Sequence, residues 1–226
     1  RAAAGYDAIM ADTIVVIAHA AQATGIGRLS FRGKTADPFA EPELLTVAAA
    51  FERLAGIDLL ATIAGGEGDR TALAAAAGAR VRIADDDTWS DIFSKVLVEH
   101  VEPNLGQDRL TVLFEYPSPE AALARTKAGD PRVAERFEVY ACGVELANGF
   151  GELTDAAEQR HRFTAAMDEK ARRYGERYPL DDDFLAAVGR MPEASGVALG
   201  FDRLVMLASG APRIDQVVWT PPAGEP

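Results

Sequence analysis

The stretch that most constrains the fold of this chain is residues 135–152, Glu-Arg-Phe-Glu-Val-Tyr-Ala-Cys-Gly-Val-Glu-Leu-Ala-Asn-Gly-Phe-Gly-Glu, where β-branched and aromatic residues flank Cys142-Gly143. Such residues suit a pleated strand and glycine tolerates the positive φ of a tight turn, so the pattern predicts a hairpin. With Ala141 paired to Val144, Tyr140 faces Glu145 and Glu138 faces Ala147, and period-two alternation puts all four on one face. Glu138 and Glu145 are then diagonal neighbours, roughly 7–8 Å apart at the backbone. Two carboxylates that close repel unless a cation lies between them, so this face is either a divalent-cation site or a solvated hairpin surface. Asn148 has the opposite parity, and a bend at Gly149 is expected to bring Asn148, Phe150 and Glu152 around the same cavity.

A second stretch, residues 195–207, reads Ser-Gly-Val-Ala-Leu-Gly-Phe-Asp-Arg-Leu-Val-Met-Leu. It predicts a glycine-containing strand that turns directly into a helix, with Arg203 in the first turn. A cation there opposes the helix dipole, so an anionic ligand or a carboxylate partner is expected to hold it.

Together the two stretches resemble the C-terminal half of a class II aminoacyl-tRNA synthetase catalytic domain, with its acidic strand pair followed by the Gly-rich strand and Asp-Arg of motif 3. Within that family Phe137-Glu138-Val139 and Glu145-Leu146-Ala147-Asn148-Gly149-Phe150-Gly151-Glu152-Leu153 look like the lysine-site signature of the lysyl branch. Val101-Glu102-Pro103-Asn104-Leu105-Gly106, residues 133–140 and Ser195-Gly196-Val197-Ala198-Leu199-Gly200 narrow the resemblance to the stand-alone lysyl-synthetase paralogues that lysylate elongation factor P. Ala198 stands where the tRNA-charging enzymes have Gly. One methyl beside a substrate is worth about 1–3 kcal/mol of discrimination.

The resemblance implies a fold and a chemistry. The fold is α/β (α+β): an antiparallel sheet flanked by helices, with residues 1–226 forming the C-terminal part of one catalytic domain, 20–105 a mainly helical insertion and 220–226 a tail. The chemistry is ATP-dependent activation of a lysine-type amino acid, (R)-β-lysine or lysine, as its adenylate, followed by transfer to a lysine of elongation factor P. By motif position Glu138 and Glu145 would hold Mg²⁺ and the ATP phosphates, and Arg203 the terminal phosphate. Asn148, Phe150 and Glu152 would line the amine pocket, while Gly149 and Ala198 would set how closely the substrate's backbone end approaches. Aligned to the family, Arg1 falls after the second strand of motif 2. Motif 1, the motif 2 arginine and further ammonium-binding residues are thus expected outside this chain, which alone is expected to be inactive. The complete protein is expected to be a cytoplasmic homodimer. Two other readings stay open: a tRNA-charging lysyl domain and a non-catalytic binding module that keeps the site's shape.

Composition limits the alternatives. At 226 residues, 48% hydrophobic and 26% charged, the chain can bury a real core within one domain. A net charge of −12 disfavours a broad nucleic-acid surface, and with it tRNA as partner. The single cysteine, Cys142, excludes an internal disulfide, suits a reducing compartment and is read as structural. His19, His100 and His161 show no zinc spacing, and Gly65-Gly66-Glu67-Gly68 lacks the Lys-Ser/Thr of a P-loop. The apolar run 8–21 is broken by Asp12 and has no basic flank, which rejects a signal segment and a membrane span.

Elsewhere, Tyr6, Ile9, Met10, Val16, Ile17 and Ala20 predict a buried stripe on an N-terminal helix. Leu29 and Phe31 predict a short strand, and 43–55 a helix closed by Gly56. Residues 61–80 read as a loop and short helix. Asp87 or Thr88 caps a helix with the stripe Ile92, Phe93, Val96, Leu97 and Val101. Residues 110–116 alternate as a strand, and 126–132 continue the loop after it. Asp155 caps a helix with Phe163, Met167, Ala171 and Tyr174 on one face, a short helix is expected at 184–188, and 217–219 suggest a last strand.

Overall fold

The computed structural model describes residues 1–121 and 123–220; the predicted tail at 221–226 lies outside them. In chain order the elements are α1 (Tyr6–Thr24), β1 (Leu29–Phe31), β2 (Lys34–Asp37), β3 (Glu43–Thr46), α2 (Val47–Ala55), β4 (Ile63–Ala64), β5 (Glu67–Gly68) and α3 (Arg70–Ala77). There follow α4 (Trp89–Val96), β6 (Asp108–Arg109), β7 (Thr111–Pro117), β8 (Val133–Ala141), β9 (Val144–Gly151), α5 (Ala156–Tyr174), α6 (Asp182–Val188), β10 (Ser195–Leu199) and α7 (Phe201–Ser209).

The central sheet has the order β10-β9-β8-β7-β3, antiparallel throughout except for the parallel pair β3 and β7. One face of β7 to β9 presents Val112, Phe137, Val139, Ala141 and Ala147 to a core that includes Ile9 and Ile17 of α1 and Leu204 and Leu207 of α7. On the opposite face Leu113, Tyr116 and Tyr140 pack into a second core with α2, α3 and α4. There Phe51 stacks on Phe93 at 5.0 Å and Trp89 on Phe93 at 5.3 Å. Burial of each such ring contributes roughly 1.5–3 kcal/mol. This second core reaches β8 only at Tyr140 and includes no residue of β9 or β10, so the β8–β10 side of this face forms a separate floor.

Local chemistry sets the helix ends. Thr88 Oγ1 accepts from Asp91 N while Asp91 Oδ2 accepts from Thr88 N, a reciprocal capping box that settles the cap on Thr88. Asp155 accepts from Ala157 N and Glu158 N at the start of α5, and Gly56 closes α2 in the left-handed conformation.

Four sequence-based expectations are corrected. Residues 43–46 form β3, because Thr46 caps α2 with its side chain and excludes the preceding residues from the helix. On α1 the buried line is Ile9, Thr13, Ile17 and Ala21, while Val16 is 52% exposed; Thr13 tolerates burial by donating its hydroxyl to Ile9 O at 2.7 Å. Phe163, Met167 and Ala171 are only half-buried and Tyr174 is exposed, since α5 lies on the surface and is fastened by ion pairs such as Arg173–Asp91. Residues 217–219 form no strand; a 3-10 turn, Ile214–Gln216, precedes them, and Trp219 is solvent-exposed.

Gly106 shows how tightly the hairpin end is held. Its φ is +63°, and a Cβ there would lie 2.5 Å from Ala141 Cα. Gly106→Ala is therefore expected to destabilise the chain by about 2 kcal/mol or more, read as a lowered urea midpoint with an unchanged slope.

Candidate active site

The hairpin turns at Cys142-Gly143, with Ala141 opposite Val144 and Tyr140 opposite Glu145. Beyond that point the register shifts by one. Val139 pairs with Ala147 and Glu138 with Asn148, so Glu138 does not face Ala147 as alternation predicts. Leu146 is the extra residue, a β-bulge in β9. Both Leu146 and Ala147 point into the α1/α7 core, so Glu145 before the bulge and Asn148 after it share the open face. The bulge, and not a bend at Gly149, thus returns Asn148, Phe150 and Glu152 to the side of Glu138. The run polar-apolar-apolar-polar over 145–148 is the signal that marks it.

The structure brings Glu138, Glu145, Asn148, Phe150, Ala198 and Arg203 onto one floor. Ala198 pairs with Asn148, which pairs with Glu138, giving a row across three strands. Glu138 is 6% exposed. Its Oε1 accepts from Arg136 Nη2 at 2.7 Å and Asn148 Nδ2 at 3.1 Å, and its Oε2 from Tyr140 Oη at 2.6 Å. Arg203, in the first turn of α7, donates to the Glu145 carbonyl at 2.8 Å and to the Glu145 carboxylate at 3.2 Å. The carboxylate partner expected for this arginine is therefore Glu145.

Gly149 lies on the other face. A Cβ there would meet the Phe137 ring at 2.4 Å and Gly196 O at 2.9 Å, so its small size serves strand packing instead of the approach of a substrate. At Gly196 an added Cβ would meet Glu152 Oε1 at 2.6 Å, which places the Glu152 carboxylate over β10 at the floor's edge. Sequence reasoning left out Arg136, Tyr140 and Glu102 as site residues. Arg136 and Tyr140 stand two positions either side of Glu138, on its own face of the strand, and that spacing was their signal. Tyr140 Oη also lies 3.3 Å from Glu102 Oε1.

Burial raises the carboxyls of Glu102 and Glu145 above the ordinary range, and the nearby charge of Glu138 adds to both shifts. Glu138, Glu145 and Glu102 bring three carboxyls to a face where Arg136 and Arg203 pair with two of them, and carboxylate oxygens are the hard donors that Mg²⁺ accepts when phosphate oxygens complete its shell. Among the described residues no group of three His, Cys, Asp or Glu side chains is placed to hold a metal alone, so Glu138 and Glu145 fit Mg²⁺ only together with such a ligand. No helix among the described residues is long and apolar enough to cross a membrane.

Glu152 makes no ion pair among the described residues, and burial raises its carboxyl despite the nearby Arg1 ammonium. A raised carboxyl pKa means that the folded state holds the proton more tightly than the unfolded chain. Stability is then gained as pH falls through that range and lost as pH rises above it. Glu152→Gln is expected to stabilise the chain by about 1 kcal/mol at pH 7.5, or about 2–4 °C in Tm, with the difference shrinking towards pH 4. An equal Tm at both pH values in thermal melts would contradict it.

Comparison with known proteins identifies the family of the chain. The family model of class II tRNA synthetases (D, K and N) matches residues 9–223. Among curated proteins, the elongation factor P–(R)-β-lysine ligase of Klebsiella pneumoniae (strain 342) is 44% identical over 180 residues, covering 78% of this chain and 54% of the relative. Its namesake from Edwardsiella ictaluri (strain 93-146) is 47% identical over 138 residues, covering 60% of this chain and 42% of the relative. That from Proteus mirabilis (strain HI4320) is 48% identical over 141 residues, covering 62% and 43%. The chain thus spans about half the length of the curated relatives it matches. A sheet antiparallel in all but one pair, helices on both faces and a family match over nearly the whole chain lead to one conclusion: this chain belongs to the class II tRNA synthetases of the D, K and N group.

Proposed function

We propose that this chain carries part of the active site of an ATP-dependent ligase that activates a lysine-type amino acid, (R)-β-lysine above lysine, and transfers it to a lysine side chain of elongation factor P. The observation that carries this reading is the row Glu138, Asn148 and Ala198, with Glu145 and Arg203 beside it on the same floor. The names of the relatives support the acceptor, and Ala198 supports the amino acid. A translation factor as acceptor implies a cytoplasmic setting, and the complete protein is proposed to be a homodimer.

In the first step a carboxylate oxygen of the amino acid attacks the α-phosphorus of ATP, the bond to pyrophosphate breaks, and an aminoacyl-adenylate forms. In the second, the acceptor's amine attacks the adenylate carbonyl and AMP leaves. The protein supplies position and charge, with no covalent enzyme intermediate. When bound, Mg²⁺ neutralises phosphate charge and orients the leaving group. Glu138 and Glu145 would hold it, Glu138 being fixed from both sides by Arg136 and Tyr140. Arg203 would exchange its contact with the Glu145 carboxylate for the terminal phosphate. Asn148 and Phe150 would wall the amine pocket, with Glu152 set against the substrate's ammonium.

A tRNA-charging reading is disfavoured by Ala198, whose methyl stands on the open face beside Asn148. The test is intact mass of elongation factor P after incubation with the full-length protein, Mg-ATP and either β-lysine or lysine. A gain of one lysyl unit, larger with β-lysine, is expected. Glu138→Gln should cut adenylate formation about 100-fold or more in a variant that circular dichroism shows to be still folded, with a lowered thermal midpoint because Arg136 loses its charged partner. Charging of tRNA with no change in the factor's mass would overturn the assignment.

A further inference from the structure

We infer that Arg136 is a positioning residue that locks the Glu138 carboxylate to the aromatic wall of the amine pocket, so that the phosphate-facing and amine-facing halves of the site are held by one guanidinium. The inference rests on the activation reaction proposed above.

Arg136 leaves β8 on the open face, and its side chain is only 16% exposed. One arm, Nη2, donates to Glu138 Oε1 at 2.7 Å, and the other, Nη1, donates to the backbone carbonyl of Glu120 at 2.7 Å. The guanidinium carbon lies 4.3 Å from the centre of the Tyr116 ring and 5.9 Å from that of Phe150. Tyr116 reaches this position because β7 is interrupted at Glu115, where φ is +58° and the register with β8 shifts. Phe114 consequently packs into the α1/α7 core and Tyr116 faces the other way.

The planar fork of arginine can bond in two directions while its faces stack on rings; an ammonium can do only part of this. Moving Arg136 therefore moves the orientation of Glu138 and the seat of Phe150 together. A second observation sets this cluster apart. Five side-chain polar atoms among the described residues are buried without a close hydrogen-bond partner, and three of them are Arg136 Nε, Glu120 Oε1 and Asn148 Oδ1, with a fourth, Tyr116 Oη, only loosely directed at the Glu138 carboxylate. Tyr116 and Glu120 touch Arg136, and Asn148 shares Glu138 Oε1 with it. Each such atom is costly to bury, a burden a purely structural arginine would not concentrate around itself.

The test is ATP–pyrophosphate exchange by the full-length protein and its Arg136→Met and Arg136→Lys variants, titrated separately with Mg²⁺ and with the lysine-type substrate. Exchange by Arg136→Met is expected to fall about 10- to 100-fold, with the half-saturating concentrations of both Mg²⁺ and amino acid raised. Arg136→Lys should recover only part of the rate. A stabilising role alone would lower the thermal midpoint and leave both titrations where they were. Folded variants with wild-type titrations would overturn the inference; should Arg136→Met fail to fold, Arg136→Lys alone decides it. A wild-type protein that shows no exchange would overturn the proposed function, and this role with it.

Discussion

The candidate site depends on one extra residue in a strand. Leu146 sits in the α1/α7 core beside Ala147, and this double turn inward lets Glu145 and Asn148 emerge on the same face of the sheet. Its geometry is pinned from the next element: Gly200 N donates to Leu146 O at 2.8 Å and Arg203 bonds Glu145 O at 2.8 Å. The bulge thus ties the acidic hairpin to the start of α7 through its own carbonyl groups. Without it, alternation would send Asn148 and Phe150 into the core and Ala147 onto the floor.

A second irregularity works in the same direction. At Glu115 the β7–β8 register shifts and Tyr116 is brought under Arg136, which in turn fixes Glu138. Around this floor the stability of the fold and the needs of the site pull apart. The helices α2, α3 and α4 bury a well-stacked aromatic core over one part of the face. The neighbouring part keeps half-buried carboxyls that repel one another and a cluster of buried polar atoms that lack close partners, among them Arg136 Nε and Asn148 Oδ1. Residues that destabilise a fold yet converge on one floor are what a ligand-binding surface requires, because the ligand supplies the missing charge and hydrogen bonds.

Much of this was legible in the residues themselves. The hairpin turn, the strand-to-helix junction ahead of Arg203 and the caps at Gly56, Thr88 and Asp155 rest on local chemistry, and local chemistry is written in a few adjacent letters. The bulge was not read, although the adjacent apolar pair Leu146-Ala147 marks it, because strict period-two alternation was imposed on it. Strand β3 escaped for another reason: its pairing with β7 is a long-range parallel contact, and the Ala-rich helix that follows dominates the local signal. At residues 217–219 the opposite happened; strand-forming residues found no partner strand, and propensity alone does not make a sheet. Arg136 was passed over because its role comes from Tyr116 and Glu120, which the chain reaches only through the loop before β8.

The central claim is that the bulge assembles Glu138 and Glu145 into a phosphate-facing cation site beside the row Asn148–Ala198. Its most direct test is anomalous diffraction from crystals of the full-length protein soaked with Mn²⁺ and a non-hydrolysable ATP analogue. The account expects a Mn²⁺ peak at inner-sphere distance, about 2.0–2.3 Å, from carboxylate oxygens of Glu138 or Glu145, with Arg203 turned from Glu145 to the terminal phosphate. A nucleotide bound with its metal away from both carboxylates, or with Arg203 still on Glu145, would contradict it.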